Sequence, residues 1–161
     1  MINLKYILTI VSTSYIGLFL VNFIGCTPEP EPIRFGSDLC VYCKMMISDT
    51  RFGGELVTTK SKIYKYDSVE CLSAWCLTEI TKPEDIHSLW VVDFDHPEKL
   101  INARQSIYLR SKDLRSPMGL NLSAFSDRTT AEKVERLYIG ALIDWDDVQN
   151  VVKDNWLKGI N

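Results

Sequence analysis

After Lys5 the chain runs YILTIVSTSYIGLFLVNFIG, twenty residues without a charge, and this run constrains folding more than any other stretch of the 161 residues. A transmembrane helix needs about 20 mostly apolar residues, a length the run only just reaches. A basic start, an apolar stretch and small residues near its end are also the grammar of a secretory signal. On either reading, residues 1–25 stand apart from the folded part, which is expected outside the cytoplasm.

What separates the two readings is FIGC followed by TPEPEP. The tetrapeptide resembles a bacterial lipobox, in which a signal peptidase cuts before a cysteine that receives lipid, with Phe23 where Leu is usual. The expectation is a lipoprotein signal peptide over 1–25, lipidation of Cys26, and a protein anchored on the periplasmic side of a bacterial membrane, the outer one by preference. A retained helical anchor and plain secretion are the alternatives. Thr27–Pro32 alternates proline with acid, which favours an extended chain, so residues 26–36 read as a tether that stands the domain off the membrane.

Residues 37–161 carry an ordinary globular balance, the whole chain being 46% hydrophobic and 24% charged. Net charge is −3, and −4 once Lys5 is removed with the leader. No basic run of five or more residues occurs, so nucleic acid is excluded as an expected partner. GELVTTKSKIYKYD reads as a hairpin, and DSVECLSAWCLTEI as a helix over about 68–80 with Asp67 or Ser68 as N-cap. LWVVDF, SIYLRS and LNLSAF are strand-like, SDRTTAEKVERLY is a capped helix, and GALIDW and residues 145–156 form a last strand and a short helix. The fold class expected is α+β: two consecutive strand-strand-helix units, about 37–85 and 86–161, with a terminal strand and short helix.

CVYCKMM, Cys40 to Met46, places two thiols and two thioethers around one lysine. An exported CxxC can be a disulfide, because oxidising compartments preserve such bonds. A thioredoxin-type redox pair should open a helix, and KMMISDTRFGG does not promise one. A zinc knuckle would add Cys71 and Cys76, yet residues five apart on a helix differ by about 140°, so that pair does not converge on one ion. Copper(I) accounts for the methionines too, since thiolates and thioethers are soft donors that select it. Cys40, Cys43 and Met45 are the candidates in this loop. An extended chain would put Cys43 and Met45 on one side, while Met46, followed by Ile47, is expected in the core. Lys44 is expected to lower the thiol pKa values by its charge.

Beyond these chemical arguments, DLCVYCKMMISDTRFGGELVTTKSKIYKYDSVECL resembles the amino-terminal half of the NosL family, lipid-anchored accessory proteins of nitrous-oxide reductase. The matching positions are Cys40, Cys43 and Met45, then Asp49, Gly53 and Gly54, then Tyr66, Asp67 and Ser68. SPMGLNLSAF is similar to the family's Pro-Met-Gly element, placing Met118, and the likeness spans roughly 37–149. Lys44 stands where the family motif usually has a small Gly. The resemblance implies a periplasmic chaperone that carries Cu(I) to a copper-accepting enzyme or its maturation complex, with Cys43, Met45 and Met118 as ligands. If Cys43 with Met45 comes from the first unit and Met118 from the second, the metal sits at the seam between them, and Met118 is expected within metal-bridging reach of Cys43 on an exposed rim, presented by the turn that Pro117 and Gly119 favour.

His87 and His96 are the only histidines, and DFDHPEKL gives His96 a capping or exposed role rather than a metal. The four tryptophans read as packing residues. No P-loop, GxSxG or HExxH occurs, so no catalytic residues are assigned and no enzyme is expected. The rival to metal delivery is a structural or interaction lipoprotein stapled by a CxxC disulfide or a zinc site.

Overall fold

The computed structural model describes residues 27–78 and 80–158. The leader over 1–25 and the lipidation site Cys26 lie outside the described residues. Among the described residues, no helix is long and apolar enough to cross a membrane.

Strands β1 (Gly54–Thr58) and β2 (Ile63–Tyr66) form the expected hairpin, with Leu56 opposite Tyr64. Helix α1 (Val69–Leu77) starts at Ser68, whose hydroxyl accepts from the Cys71 N–H, and β3 (Ile86–Asp93) returns antiparallel beside β1. The second half repeats this: β5 (Ile107–Ser111), β6 (Leu122–Phe125), α2 (Arg128–Leu137, capped by Asp127) and β7 (Gly140–Ile143), which pairs with β5. The two orders, β2-β1-β3 and β6-β5-β7, are the same topology. Helix α3 (Trp145–Val152) and a π-turn over Lys153–Leu157 follow.

The α+β class stands, but its division shifts. IHSLWVVD is the third strand of the first unit rather than the first strand of the second, because its hydrogen bonds run to β1. The remaining strand, β4 (His96–Asn102), has no counterpart in the sequence reading. HPEKLIN buries only Ile101, and its Pro, Glu and Lys are residues that strand propensities disfavour. Pairing with β3 holds it, and those same residues suit an exposed edge. A single parallel step, Asp93 beside Ala124, joins the halves into one sheet.

Helix α1 buries its first six residues, Val69 to Ala74, because the sheet covers one side and α3 another. Its approach to β1 depends on Gly54, where a Cβ would sit 3.2 Å from the Leu72 side chain. The main core gathers Leu56, Tyr66, Leu72, Leu89, Tyr108 and Trp145. Trp75, Trp90 and Trp156 are half-buried packing residues, and α2 covers a smaller cluster of Leu109, Leu114, Phe125 and Ala131.

The tether ends earlier than expected. Glu31 N–H donates to Glu55 Oε1 at 2.9 Å, the Lys65 ammonium reaches Pro32 O at 3.0 Å, and Ile33 is buried in the core. Prolines and acids suggested a free extended chain; fixed partners on β1 and β2 convert its last residues into part of the domain. The sulfur-bearing segment follows as a hairpin: Ile47 N donates to Asp38 O, Cys40 N to Met45 O and Lys44 N to Cys40 O. Lys44 turns the chain with φ +67. Because of that reversal the loop is neither extended nor helical. Ile47 enters the core while Met46, expected there, stays 53% exposed.

Two predictions test these contacts. Glu55 is fully buried, and burial raises its carboxyl from 4.5 to about 7. A folded-state pKa raised this way favours folding below the unfolded value, and the benefit is lost as pH rises through about 7. Glu55→Gln should therefore leave stability unchanged near pH 4 and raise it by about 3 kcal/mol at pH 8, measured by urea denaturation across pH. Lys44→Gly should stabilise the fold by about 0.5–1 kcal/mol, because glycine adopts the left-handed conformation without a Cβ penalty.

Candidate metal centre

The hairpin 38–47 sets Cys40 at the start of a tight turn and Cys43 near its end, and Val41 N–H donates to Lys65 O at 2.9 Å, docking the turn on β2. Two residues past Lys65, β2 has ended and Asp67 precedes the cap of α1. Cys71 lies in the first helical turn, where unpaired N–H groups favour negative charge. These pieces converge: the thiol sulfurs of Cys40, Cys43 and Cys71 and a carboxylate oxygen of Asp67 all lie within 4.8 Å of one another. Such a group can hold a metal ion. Cys40, Cys71 and Asp67 are buried, and Cys43 is half-buried, giving the cluster one open side.

All four described cysteines are free thiols. The Cys71 thiol donates to Cys40; burial opposes ionisation there, but N–H groups of Cys43, Asp67 and Tyr42 add to the pull and bring Cys40 down to about 6. Of the three thiols, Cys40 is the one whose ionisation the site favours. Burial first, then hydrogen bonding to Cys40 and the charges of Asp67 and Cys40, push Cys43 up to about 11. Cys71 is also pushed up, chiefly because its proton is committed to Cys40. Lys44, expected to supply this effect, instead turns outward and donates to Val41 O. The thiolate is stabilised by hydrogen-bond donors, not by the lysine. Neither oxygen of Asp67 has a hydrogen-bond partner, and one of them lies within 4.8 Å of all three sulfurs.

Cys71 and Asp67 are the cluster residues that the sequence analysis did not nominate as ligands. The helical-angle argument separates Cys71 from Cys76 correctly, and Cys76 lies outside the cluster, its thiol raised to about 11 by burial. It does not follow that Cys71 is idle, since the partners come from the hairpin rather than the helix. The available signal was the Ser68 cap, which fixes Cys71 in the first turn, at the end nearest the sulfur loop.

The thioethers are placed differently. Met45 is 45% exposed beside the turn, and the reversal at Lys44 removes the alternation that put it with Cys43. Met118 sits in the β5–β6 loop, in a turn closed by Gly119 N donating to Ser116 O, as its Pro and Gly flanks suggest. It is half-buried against the same core that contains Cys40 and Cys71. His96 is outside the cluster, its Nδ1 3.1 Å from Asp93 Oδ2, and its side chain is exposed.

The comparisons with known proteins bear on the fold and the family. No curated protein sequence matches the chain. Among solved structures, the crystal structure of the copper chaperone NosL from Shewanella denitrificans shares the fold with a TM-score of 0.62 and 24% identity, covering 74% of this chain and 96% of that one. The NosL family model matches residues 34–152, from just before the sulfur hairpin to the end of α3. With two repeated units and the sulfur hairpin inside the matched span, the chain belongs to the NosL family.

Proposed function

We propose that this protein binds one copper(I) ion at the sulfur cluster and delivers it to a copper-accepting enzyme or its maturation complex, nitrous-oxide reductase being the expected recipient. The observation that carries the reading is the convergence of three thiols and one carboxylate within 4.8 Å, largely buried. Sulfur donors select Cu(I) over harder ions, and a bound cation would compensate the charge that ionised thiols place in the buried cluster. The copper chaperone named among solved structures, and the family itself, support the same reading.

In this proposal Cys40 and Cys43 hold copper with Cys71, and Met118 supplies a neutral thioether from the second unit. Met45 stands on the open rim, where an incoming ligand from the acceptor would arrive. A thioether has no proton to lose and forms no disulfide, so it serves as a weak, replaceable ligand outside the cytoplasm. Lipid attachment at Cys26 would hold the carrier at the periplasmic face of the membrane, near a membrane-bound maturation complex. The activity is binding and delivery rather than catalysis.

The carboxylate favours one second reading, zinc. Three thiolates and a carboxylate oxygen make a tetrahedral donor set that Zn(II) accepts. Asp67→Asn separates the two, because it should weaken zinc while leaving a sulfur-bound copper(I) nearly unchanged.

Native mass spectrometry of the reduced protein after anaerobic loading should find one copper. Cys43→Ser and Cys71→Ser should each weaken Cu(I) at least about tenfold, as loss of a metal-bound sulfur requires, while Cys76→Ser should have no effect. Loading should also raise the melting temperature, because a ligand bound only by the folded state stabilises it. Unchanged affinity in Cys71→Ser would remove the cluster as the site.

A further inference from the structure

Helix α1 carries Glu70 and Cys71 side by side, about 100° apart around its axis. Cys71 meets the sulfur hairpin of the first unit, and Glu70 meets the loop of the second. The Glu70 side chain is fully buried, and its Oε1 accepts a hydrogen bond from Ser116 Oγ, two residues before Met118. Ser116 is itself 7% exposed and is a node within its loop: its hydroxyl oxygen also accepts from Asn121 N–H at 2.9 Å. Asn121 O in turn accepts from Ser111 N at 3.1 Å, and left-handed turns at Gly119 (φ +82) and Asn121 (φ +63) complete the shape.

Packing alone does not explain this arrangement. A buried carboxyl with one oxygen unpartnered is costly, and an apolar side chain of similar size would fill the volume at less expense. What an apolar residue could not do is fix the position of Ser116. We propose that the Ser116–Glu70 hydrogen bond is a latch that holds the Met118 loop of the second unit against the metal centre of the first. It rests on the functional reading above and adds to it two positioning residues, neither of which touches the metal. The shared helix is the reason they can act: the residue next to the grip is a thiol of the cluster. When the latch is closed, the loop and Cys71 keep a fixed relation. When it opens, the thioether leaves while the hairpin thiols stay, so copper is loosened without unfolding either unit.

The test uses the reduced full chain with methyl-labelled methionine and Cu(I) as the probe. In the parent, loading should produce the thiolate-to-copper absorption band and shift the Met118 methyl resonance. In Ser116→Ala the band should remain, the Met118 methyl should stay at its metal-free position, and transfer to a Cu(I) chelator should accelerate about tenfold, the effect expected for loss of a hydrogen bond to a carboxyl group. Glu70→Leu should behave like Ser116→Ala, and Glu70→Gln, which keeps an accepting oxygen, should behave like the parent. In the metal-free protein, the Asn121 amide should exchange faster in Ser116→Ala. A Met118 shift and a transfer rate unchanged in Ser116→Ala overturn the latch, as does an unchanged Asn121 amide. A parent with the absorption band but a silent Met118 methyl overturns the latch and leaves copper binding by the cysteines intact. A parent that takes up no copper overturns the functional reading and the latch with it.

Discussion

The position of the sulfur hairpin depends on one side chain, Lys65 of β2. Its ammonium, 11% exposed, contacts the Asp38 carboxylate at 2.9 Å, Pro32 O at 3.0 Å and Glu31 Oε1 at 3.1 Å, while its backbone carbonyl accepts from Val41. Burial works against the Asp38 charge, but Lys65 and the Arg34 backbone and guanidinium hold its carboxyl at about 2. The segment turns Leu39 and Met46 outward and sends Cys40 and Ile47 into the core, so charge and backbone bonds to the sheet edge act together with packing to hold it. Removing Lys65 would leave Asp38 with Arg34 as its remaining charged partner and would free Glu31 and Pro32 O. The thiols of Cys40 and Cys43 would then lose their fixed relation to Asp67 and Cys71.

What the hairpin meets is an unfavourable place for the groups it carries. A thiolate, two further thiols and an unpartnered carboxylate share a space less than 5 Å across, with no basic side chain among the cluster residues. The start of α1 relieves part of this, through N–H groups and the partial positive charge of a helix N-terminus. The hydrogen bonds among the thiols work in the same direction, favouring ionisation of Cys40 and opposing that of Cys71 and Cys43. A site of this kind is held ready for a cation by the fold that surrounds it, as buried unpaired polar groups at functional sites generally are.

The repeat of β2-β1-β3 and β6-β5-β7 has been used asymmetrically. In the first unit the hairpin turn is four residues, Thr59–Lys62, and α1 is buried between sheet and α3. In the second the equivalent turn runs from Lys112 to Asn121 and α2 buries only Ala131. The long turn is what lets the second unit reach across the seam to α1. The single parallel step at Asp93 and Ala124 is a small hydrogen-bonded join, so the contacts around α1 carry much of the association between units.

Much of the fold was legible in local chemistry. The caps at Ser68 and Asp127, the hairpin around KSK and the Pro-Met-Gly turn lie where residue preferences put them, because each is decided within a few residues. The CxxC likewise marked Cys40 and Cys43, two members of the cluster that could hold a metal, by composition alone. The rest was decided by neighbours distant in sequence. β4 exists because β3 offers an edge, and Glu31 is ordered because Glu55 and Lys65 receive it. Met46 is outside because a left-handed lysine reverses the chain before it. Cys71 joins Cys40 across thirty-one residues, and Ser116 meets Glu70 across forty-six, because burial gathers polar groups that have no local partner. The sequence determined which atoms could bind a metal; only the tertiary structure decided which of them share one site, since a ligand set is a matter of distances of a few ångströms that no spacing along the chain encodes.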